Sequence, residues 1–282
     1  VEVSVVSISS PNPTELSVEG SLDVNETSSP VSLSVEYKKQ SDSTYQSVDA
    51  NIVEGFDLSK ASYSGISFDV GSEEVSPSGV AFNGDGTKMF VAGSGSDSVI
   101  EYDLTTGFDV STASFSGTSF DVSSEDDVPL GIEFNGDGTK MFVCGFSNKT
   151  VYEYDLTTGF DLSTASYSGT SFNVGSEDGT PTDVTFNGDG TKMFVSGTNN
   201  SSVFEYDLTT SFDLSTASFS GTSFNVGSED GTPREIEFNS DGTKMFVAGN
   251  QNVEVYTYDL TTGFDISTAS FSGISFDVSS ED

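Results

Sequence analysis

The stretch Asn83-Gly84-Asp85-Gly86-Thr87-Lys88-Met89-Phe90 decides the fold, because it returns from Asn135, Asn187 and Asn239, each time 52 residues further on. A fixed period of this size marks a repeat architecture and is read before any local pattern. The whole unit repeats around it. Copies begin at Phe56, Phe108, Phe160 and Phe212, align without an insertion, and a fifth starts at Phe264.

Within one copy, Asn83-Gly84-Asp85-Gly86 supplies positive-φ turn residues between two short runs, Gly79 to Phe82 and Lys88 to Val91. Ser98 to Leu104 reads as a third strand and Ala113 to Val122 as a fourth. Four such antiparallel strands have two apolar faces and cannot cover both alone; radial repetition of blades covers them. A solenoid would use shorter coils with one strand per turn. The expected fold is therefore all-β, a β-propeller over residues 55–282 with four-stranded blades at 79–122, 131–174, 183–226 and 235–278. Residues 61–70 repeat the fourth strand alone, a spare outer strand. It is expected to close the ring or to pair with another subunit by strand addition. The last copy stops at Ser279-Ser280-Glu281-Asp282, where earlier ones run on to Pro129, Pro181 or Pro233, which predicts further blades. An opening at Val1 without Met or apolar leader suggests a processed chain or a piece of a longer one.

The pattern Pro-Xaa-Xaa-Val-Xaa-Phe-Asn-Gly-Asp-Gly-Thr-Lys-Met-Phe-Val, followed by Val-Xaa-Glu-Tyr-Asp-Leu-Thr-Thr, resembles surface-layer and lactonase-like propeller repeats. Similar repeats occur in halophilic or marine microbes and in tailed viruses. The resemblance covers 56–282 and implies the blade; activity does not follow from it, since propellers host many functions. Residues 1–54 have another texture, with alternation over Val1 to Ile8, Thr14 to Val24, Val31 to Tyr37 and Thr44 to Val48. The runs from Val31 and from Ser41 are similar to the middle strands of a fibronectin type III module, of which about half is present. A truncated module, a stalk-like domain completed by a partner, and a layer packed on the ring all remain open.

Charge narrows the partners. Nine Lys and Arg against 45 Asp and Glu give a net charge of −36, and Arg234 is the sole arginine. Nucleic acid needs clustered bases, anionic lipid surfaces are disfavoured in the same way, and no run is apolar enough for membrane insertion. Dense carboxylates repel one another, and about 1 M salt shortens that repulsion to roughly 3 Å. The acidic, lysine-poor composition resembles halophilic proteins.

Histidine and tryptophan are absent, and Cys144 is single, so no intrachain disulfide forms. Histidine relays and Ser-His-Asp triads are excluded, as are zinc sites of Cys and His. Carboxylates, Lys, Tyr and hydroxyls remain, with no certain cofactor beyond an oxygen-ligated Ca²⁺ or Mg²⁺.

Two sets of carboxylates repeat. Asp85, Asp137, Asp189 and Asp241 sit in the hairpin and lack the distal Glu of a calcium loop, so they read as side chains bonding their own turn. Glu73, Glu74, Glu125, Asp126, Glu177, Asp178, Glu229 and Asp230 sit between blades and are the metal candidates, against a reading as solvated loop charge. The copies differ most in the second-to-third strand loops and beside the loop prolines. Phe146, Lys149, Asn199, Asn200, Asn250, Gln251 and Arg234 thereby mark a candidate binding face. Asn25, Asn148, Asn199 and Asn200 are glycosylation candidates if the chain is exported.

The sameness of the copies argues against a catalytic site, which needs an asymmetric set of groups. The expectation is a non-enzymatic extracellular or virion-surface protein, part of a fibre, spike or surface layer. It would bind a protein or glycan on a host or cell surface, as a homo-oligomer or within a larger assembly, by multivalent loop contacts. The alternatives are a lactonase-like hydrolase with a carboxylate-held metal, and a fibre subunit joined by strand exchange.

Overall fold

The computed structural model describes residues 57–279 and two strands before them. Those two, β1 (Leu33–Tyr37) and β2 (Gln46–Ala50), pair antiparallel with Val35 opposite Val48. They belong to a unit, Val1–Phe56, distinct from the unit Asp57–Asp282. The segments Val1 to Ile8 and Thr14 to Val24 lie outside the described residues.

The second unit is a β-propeller of four antiparallel four-stranded blades. Blade 1 holds β3 (Pro77–Phe82), β4 (Lys88–Gly93), β5 (Ser98–Leu104) and β6 (Ala113–Asp121). Blade 2 holds β7 (Pro129–Phe134), β8 (Lys140–Gly145), β9 (Thr150–Leu156) and β10 (Ala165–Asn173). Blade 3 holds β11 (Pro181–Phe186), β12 (Lys192–Gly197), β13 (Ser202–Leu208) and β14 (Ala217–Asn225). Blade 4 holds β15 (Pro233–Phe238), β16 (Lys244–Gly249), β17 (Glu254–Leu260) and β18 (Ala269–Asp277). In every blade the strands hydrogen-bond in chain order.

Burial explains the composition of each strand. The second strand is covered on both faces, so Met141, Phe142, Val143 and Cys144 are all fully buried and the run is continuously apolar. The fourth alternates exposed and half-buried residues, as an outer edge with one covered face should. The hairpin is tied by its own polar groups: Asn83 Oδ1 accepts the Lys88 N–H at 2.9 Å, and Asp85 Oδ1 accepts the Thr87 N–H at 3.0 Å. Of the four turn residues only Gly86 has positive φ, at 70°. A Cβ there would fall 2.4 Å from the Phe108 ring, so space and conformation both require glycine.

Blades pack face to face. Phe90, Ala92 and Val99 of blade 1 form one cluster with Ile132, Phe134 and Met141 of blade 2, and the next two junctions repeat it. A short 3-10 turn before each outer strand seals the junction. The Leu162 N–H donates to Glu101 Oε2 at 3.1 Å, and the Leu214 N–H to Glu153 Oε2 at 3.0 Å. Lys88, Lys140 and Lys192 hold the other oxygens of Glu101, Glu153 and Glu205.

Residues 57–70 belong to no blade. Their 3-10 turn, Leu58–Lys60, touches β18 as the later turns touch the outer strand before them. Phe68 packs edge-on against Tyr102, as Phe120 does against Tyr154. Yet Ala61 to Val70, nearly the sequence of β6, forms no strand, and among the described residues no third strand lies beside it to pair with.

Candidate active site

Four of the eight inter-blade carboxylates, Glu74, Asp126, Asp178 and Asp230, fasten their own loops. Asp126, 2 % exposed, accepts N–H bonds from Val128 at 2.9 Å, Ser147 at 3.2 Å and Asn148 at 2.8 Å. Asp178, Asp230 and Glu74 do the same for their own loops. For Glu74 burial opposes ionisation, but the hydrogen bonds from Ser96, Ser76 and Gly95 hold its carboxyl below the usual range. Of the neighbours, Glu177 and Glu229 accept the Tyr206 and Tyr258 hydroxyls at 3.3 Å, and Glu73 accepts from Ser72 at 2.9 Å. The Glu125 carbonyl accepts the Asn148 amide. Among the described residues no three acidic or thiol side chains converge as a metal site.

The proposed binding residues are exposed and spread over three blades: Phe146 and Lys149 on blade 2, Asn199 and Asn200 on blade 3, Arg234, Asn250 and Gln251 on blade 4. Several support their loops. Asn200 Nδ2 donates to the Glu177 carbonyl at 2.8 Å, Asn148 Nδ2 to that of Glu125 at 2.8 Å, and Gln251 Oε1 accepts the Gly231 N–H at 3.2 Å. Asn25 lies outside the described residues.

A different group of ionisable residues comes together at the innermost strands. Alternate residues of a strand share a face, and here two levels face the next blade around the axis. One holds Gly79, Gly131, Asp183 and Glu235; the other, two residues on, holds Ala81, Glu133, Thr185 and Glu237. The strands approach closely: a Cβ on Gly131 would lie 2.6 Å from the Asp183 Cα. Asp183, 8 % exposed, reaches across to β15, where its Oδ2 accepts the Ile236 N–H at 2.9 Å.

Crowding acids in a poorly solvated place raises their pKa values. Burial, then the charge of Glu237, pushes Glu133 up to about 8. Burial brings Glu235 to about 7. Glu237 also rises to about 7, through burial and the charge of Glu235, against a hydrogen bond from the Phe238 N–H. Asp183 is pushed well above its ordinary value by burial and by Glu235. Glu133 is half-buried and Glu237 exposed, so water reaches both. Near neutral pH the pair therefore holds a mostly protonated carboxyl and a half-ionised one, a complement suited to acid and base work.

Sequence reasoning compared the copies in their loops and passed over the first strands. The signal was there: positions 79, 131, 183 and 235 read Gly, Gly, Asp, Glu, and positions 81, 133, 185 and 237 read Ala, Glu, Thr, Glu. The copies are not equivalent where they meet the axis, and the inference from sameness to a lack of catalysis fails there.

No family model and no curated protein matches the chain in sequence. Solved structures do resemble it. A putative 6-phosphogluconolactonase from Bacteroides uniformis is 12% identical, with 72% of this chain and 55% of that one covered at a TM-score of 0.49. A second, from Bacteroides fragilis, is 15% identical over the same shares at 0.48. The periplasmic gluconolactonase of Pseudomonas aeruginosa is 16% identical over 71% of this chain and 53% of its own at 0.45. The chain spans about half the length of these structures, and likeness at such identity shows the propeller fold alone. The expectation of a non-enzymatic display or adhesion protein is corrected. The inner strands hold the asymmetric ionisable set that the repeats had been read as lacking.

Proposed function

We propose that the protein is a hydrolase of small uncharged esters, lactones among them, with Glu133 and Glu237 as its acid and base. The observation that supports this reading is the pair of raised carboxyls on the inner strands of blades 2 and 4: Glu133 at about 8, through burial and the charge of Glu237, and Glu237 at about 7, through burial and the charge of Glu235. Ionised Glu237 takes a proton from water as its oxygen attacks the carbonyl carbon. The C–O bond then breaks and protonated Glu133 gives its proton to the departing alkoxide, leaving a carboxylic acid and an alcohol. The hydroxyl of Thr185, at the same level of the neighbouring inner strand, opposes the rise at Glu237.

Charge sets the substrate class. With −36 on the chain and four acids at the inner strands, a phosphorylated or carboxylated substrate is repelled, and a neutral sugar lactone is not. The same acidity suits a saline, extracellular medium.

The test is turnover of neutral sugar lactones and neutral chromogenic esters across pH 5 to 9, with Glu133→Gln and Glu237→Gln beside the parent chain. The expected result is a bell-shaped rate that either substitution lowers at least 100-fold, on the scale of lost acid or base catalysis. Purified protein no faster than buffer on all these substrates would end the proposal.

A further inference from the structure

The outer strand of every blade leaves one aromatic ring in solvent. Phe115, Tyr167, Phe219 and Phe271 stand at the same position of β6, β10, β14 and β18, and they are 38% to 43% exposed. The other exposed residues of β10 are Ser166, Gly169, Ser171 and Asn173, so the ring rises from a strand that is otherwise small or polar. Each ring is held from behind. Tyr167 lies opposite Tyr154 in the ladder and packs on that fully buried ring, with centroids 5.7 Å apart and 55° between the planes. Phe115 on Tyr102, Phe219 on Tyr206 and Phe271 on Tyr258 repeat the contact at 6.1, 5.6 and 5.8 Å. A ring fixed in this way loses little freedom when a ligand stacks on its outer face.

A hydroxyl stands beside each ring. Ser171 lies opposite Tyr152, and residues opposed in an antiparallel ladder share a face, so Ser171 and Tyr167 project together. Ser119, Ser223 and Ser275 repeat the position and are exposed. Between ring and hydroxyl the strand bulges: its register slips after Tyr167, and Gly169 takes a φ of 86° with open space where its Cβ would be. A bulge spoils an edge for pairing with a further strand, which excludes strand addition by a second copy. Isolated rings also fall short of the roughly 1,000 Å² that a stable protein interface buries. The net charge of −36 excludes acidic polymers and anionic lipid surfaces. A sugar unit fits what remains, because its C–H face stacks on the ring and its hydroxyls bond the serine.

We propose that the outer strands bind an uncharged polysaccharide, with Phe115, Tyr167, Phe219 and Phe271 as stacking platforms and the serine beside each as a hydrogen-bond partner. The protein repeats its ring once per blade and the polymer repeats its sugar, so weak single contacts add through effective concentration. The surface lies on the outer strands and the raised carboxyls on the inner ones, so this inference does not depend on the proposed chemistry.

The test is native electrophoresis of the whole chain through gels containing hydroxyethyl cellulose, galactomannan or dextran, with alginate as the acidic control. At least one neutral polymer should retard the parent chain, and alginate should not. Tyr167→Ser combined with Phe219→Ser should raise the dissociation constant read from the retardation by roughly 10-fold or more. Tyr167→Leu combined with Phe219→Leu keeps apolar cover over Tyr154 and Tyr206 but offers no ring face; it should weaken binding to the same extent while the melting temperature holds. Absence of retardation by all three neutral polymers, or retardation that the leucine variant keeps, would overturn the inference. So would equal retardation in alginate, which would mean sieving without recognition. Self-association in sedimentation that rises with concentration and disappears in the leucine variant would also overturn it, because a second copy would then be the occupant.

Discussion

Phe68 and Tyr102 meet edge-on, with ring centroids 5.4 Å apart and 80° between the planes, although Phe68 belongs to no strand. The same geometry joins Phe120 to Tyr154, at 5.4 Å and 81°, across a complete junction. The aromatic contact therefore survives without the sheet that elsewhere carries it. Replacing Phe68 with alanine removes a half-buried ring from the Met89, Val91 and Ile100 cluster. The expected loss is ~2 kcal/mol, below the full Phe→Ala range because burial is partial. Phe120→Ala should cost a similar amount in denaturant titration. An unchanged midpoint for Phe68→Ala would mean that residues 57–70 add nothing to the ring.

Asp126 sits where a side chain on Gly145 would have to be: a Cβ there would come within 2.4 Å of its carboxylate oxygen. Its oxygens satisfy three N–H groups on two sides of the loop. Asp126→Ala leaves those donors without a partner and should cost about 2–3 kcal/mol, with Asp126→Asn near half of that. The oxygens are already engaged, so millimolar Ca²⁺ should not raise the melting temperature of the parent chain. A calcium-dependent rise that Asp126→Asn abolishes would return this residue to the metal reading.

The blade was legible because its causes are local. Asn83 and Asp85 bond within their own turn, Gly86 alone needs positive φ, and the apolar second strand declares burial on both sides. The axial site was harder to read because its members lie on different blades: Glu133 and Glu237 are 104 positions apart, and only the closing of a ring brings them to one axis. Their strand pattern looked like ordinary alternation, in which a Glu between Ile and Phe signals solvent. The roles of Asp126 and Glu153 were hidden for the opposite reason. Acidic residues in a very acidic chain read as solvation, and nothing in their spacing announces which oxygens will meet an N–H.

Glu153 links two blades. It is 4 % exposed in its side chain, held by Lys140 on one oxygen and by the Leu214 N–H on the other. Lys140→Met leaves the buried carboxylate without its cation and should cost about 3 kcal/mol. Blade 4 provides the control, since Thr257 replaces the Glu and Lys244 pairs instead with Asp259, whose side chain is 54% exposed, at 2.9 Å. Lys244→Met should cost less than about 1 kcal/mol. Equal losses in the two variants would show that the buried bridge is not what separates them.

The raised axial carboxyls give stability an unusual pH dependence. Glu133, Glu235 and Glu237 stay protonated in the folded chain up to about 8, 7 and 7, whereas in the unfolded chain they ionise near the ordinary carboxyl value of 4.5. Between these limits the folded state binds more protons, so stability falls as pH rises. Their contribution is complete below pH 4.5 and lost by about pH 8. Each group contributes a slope of at most about 1.4 kcal/mol per pH unit, and water at Glu237 lowers its share. Asp57, Asp85 and Asp137 act the other way in a lower window. Hydrogen bonds from Ser59, Thr87 and Thr139 hold their carboxyls below the ordinary aspartate value, so that stabilisation disappears as pH falls below about 4. The melting temperature should therefore peak near pH 5 and decline toward pH 8. Glu133→Gln, which cannot ionise, should flatten the decline without moving the acid limb. A profile that rises from pH 5 to 8 in the parent chain, or one that Glu133→Gln leaves unchanged, would show that these carboxyls are solvated and ionised in the folded protein.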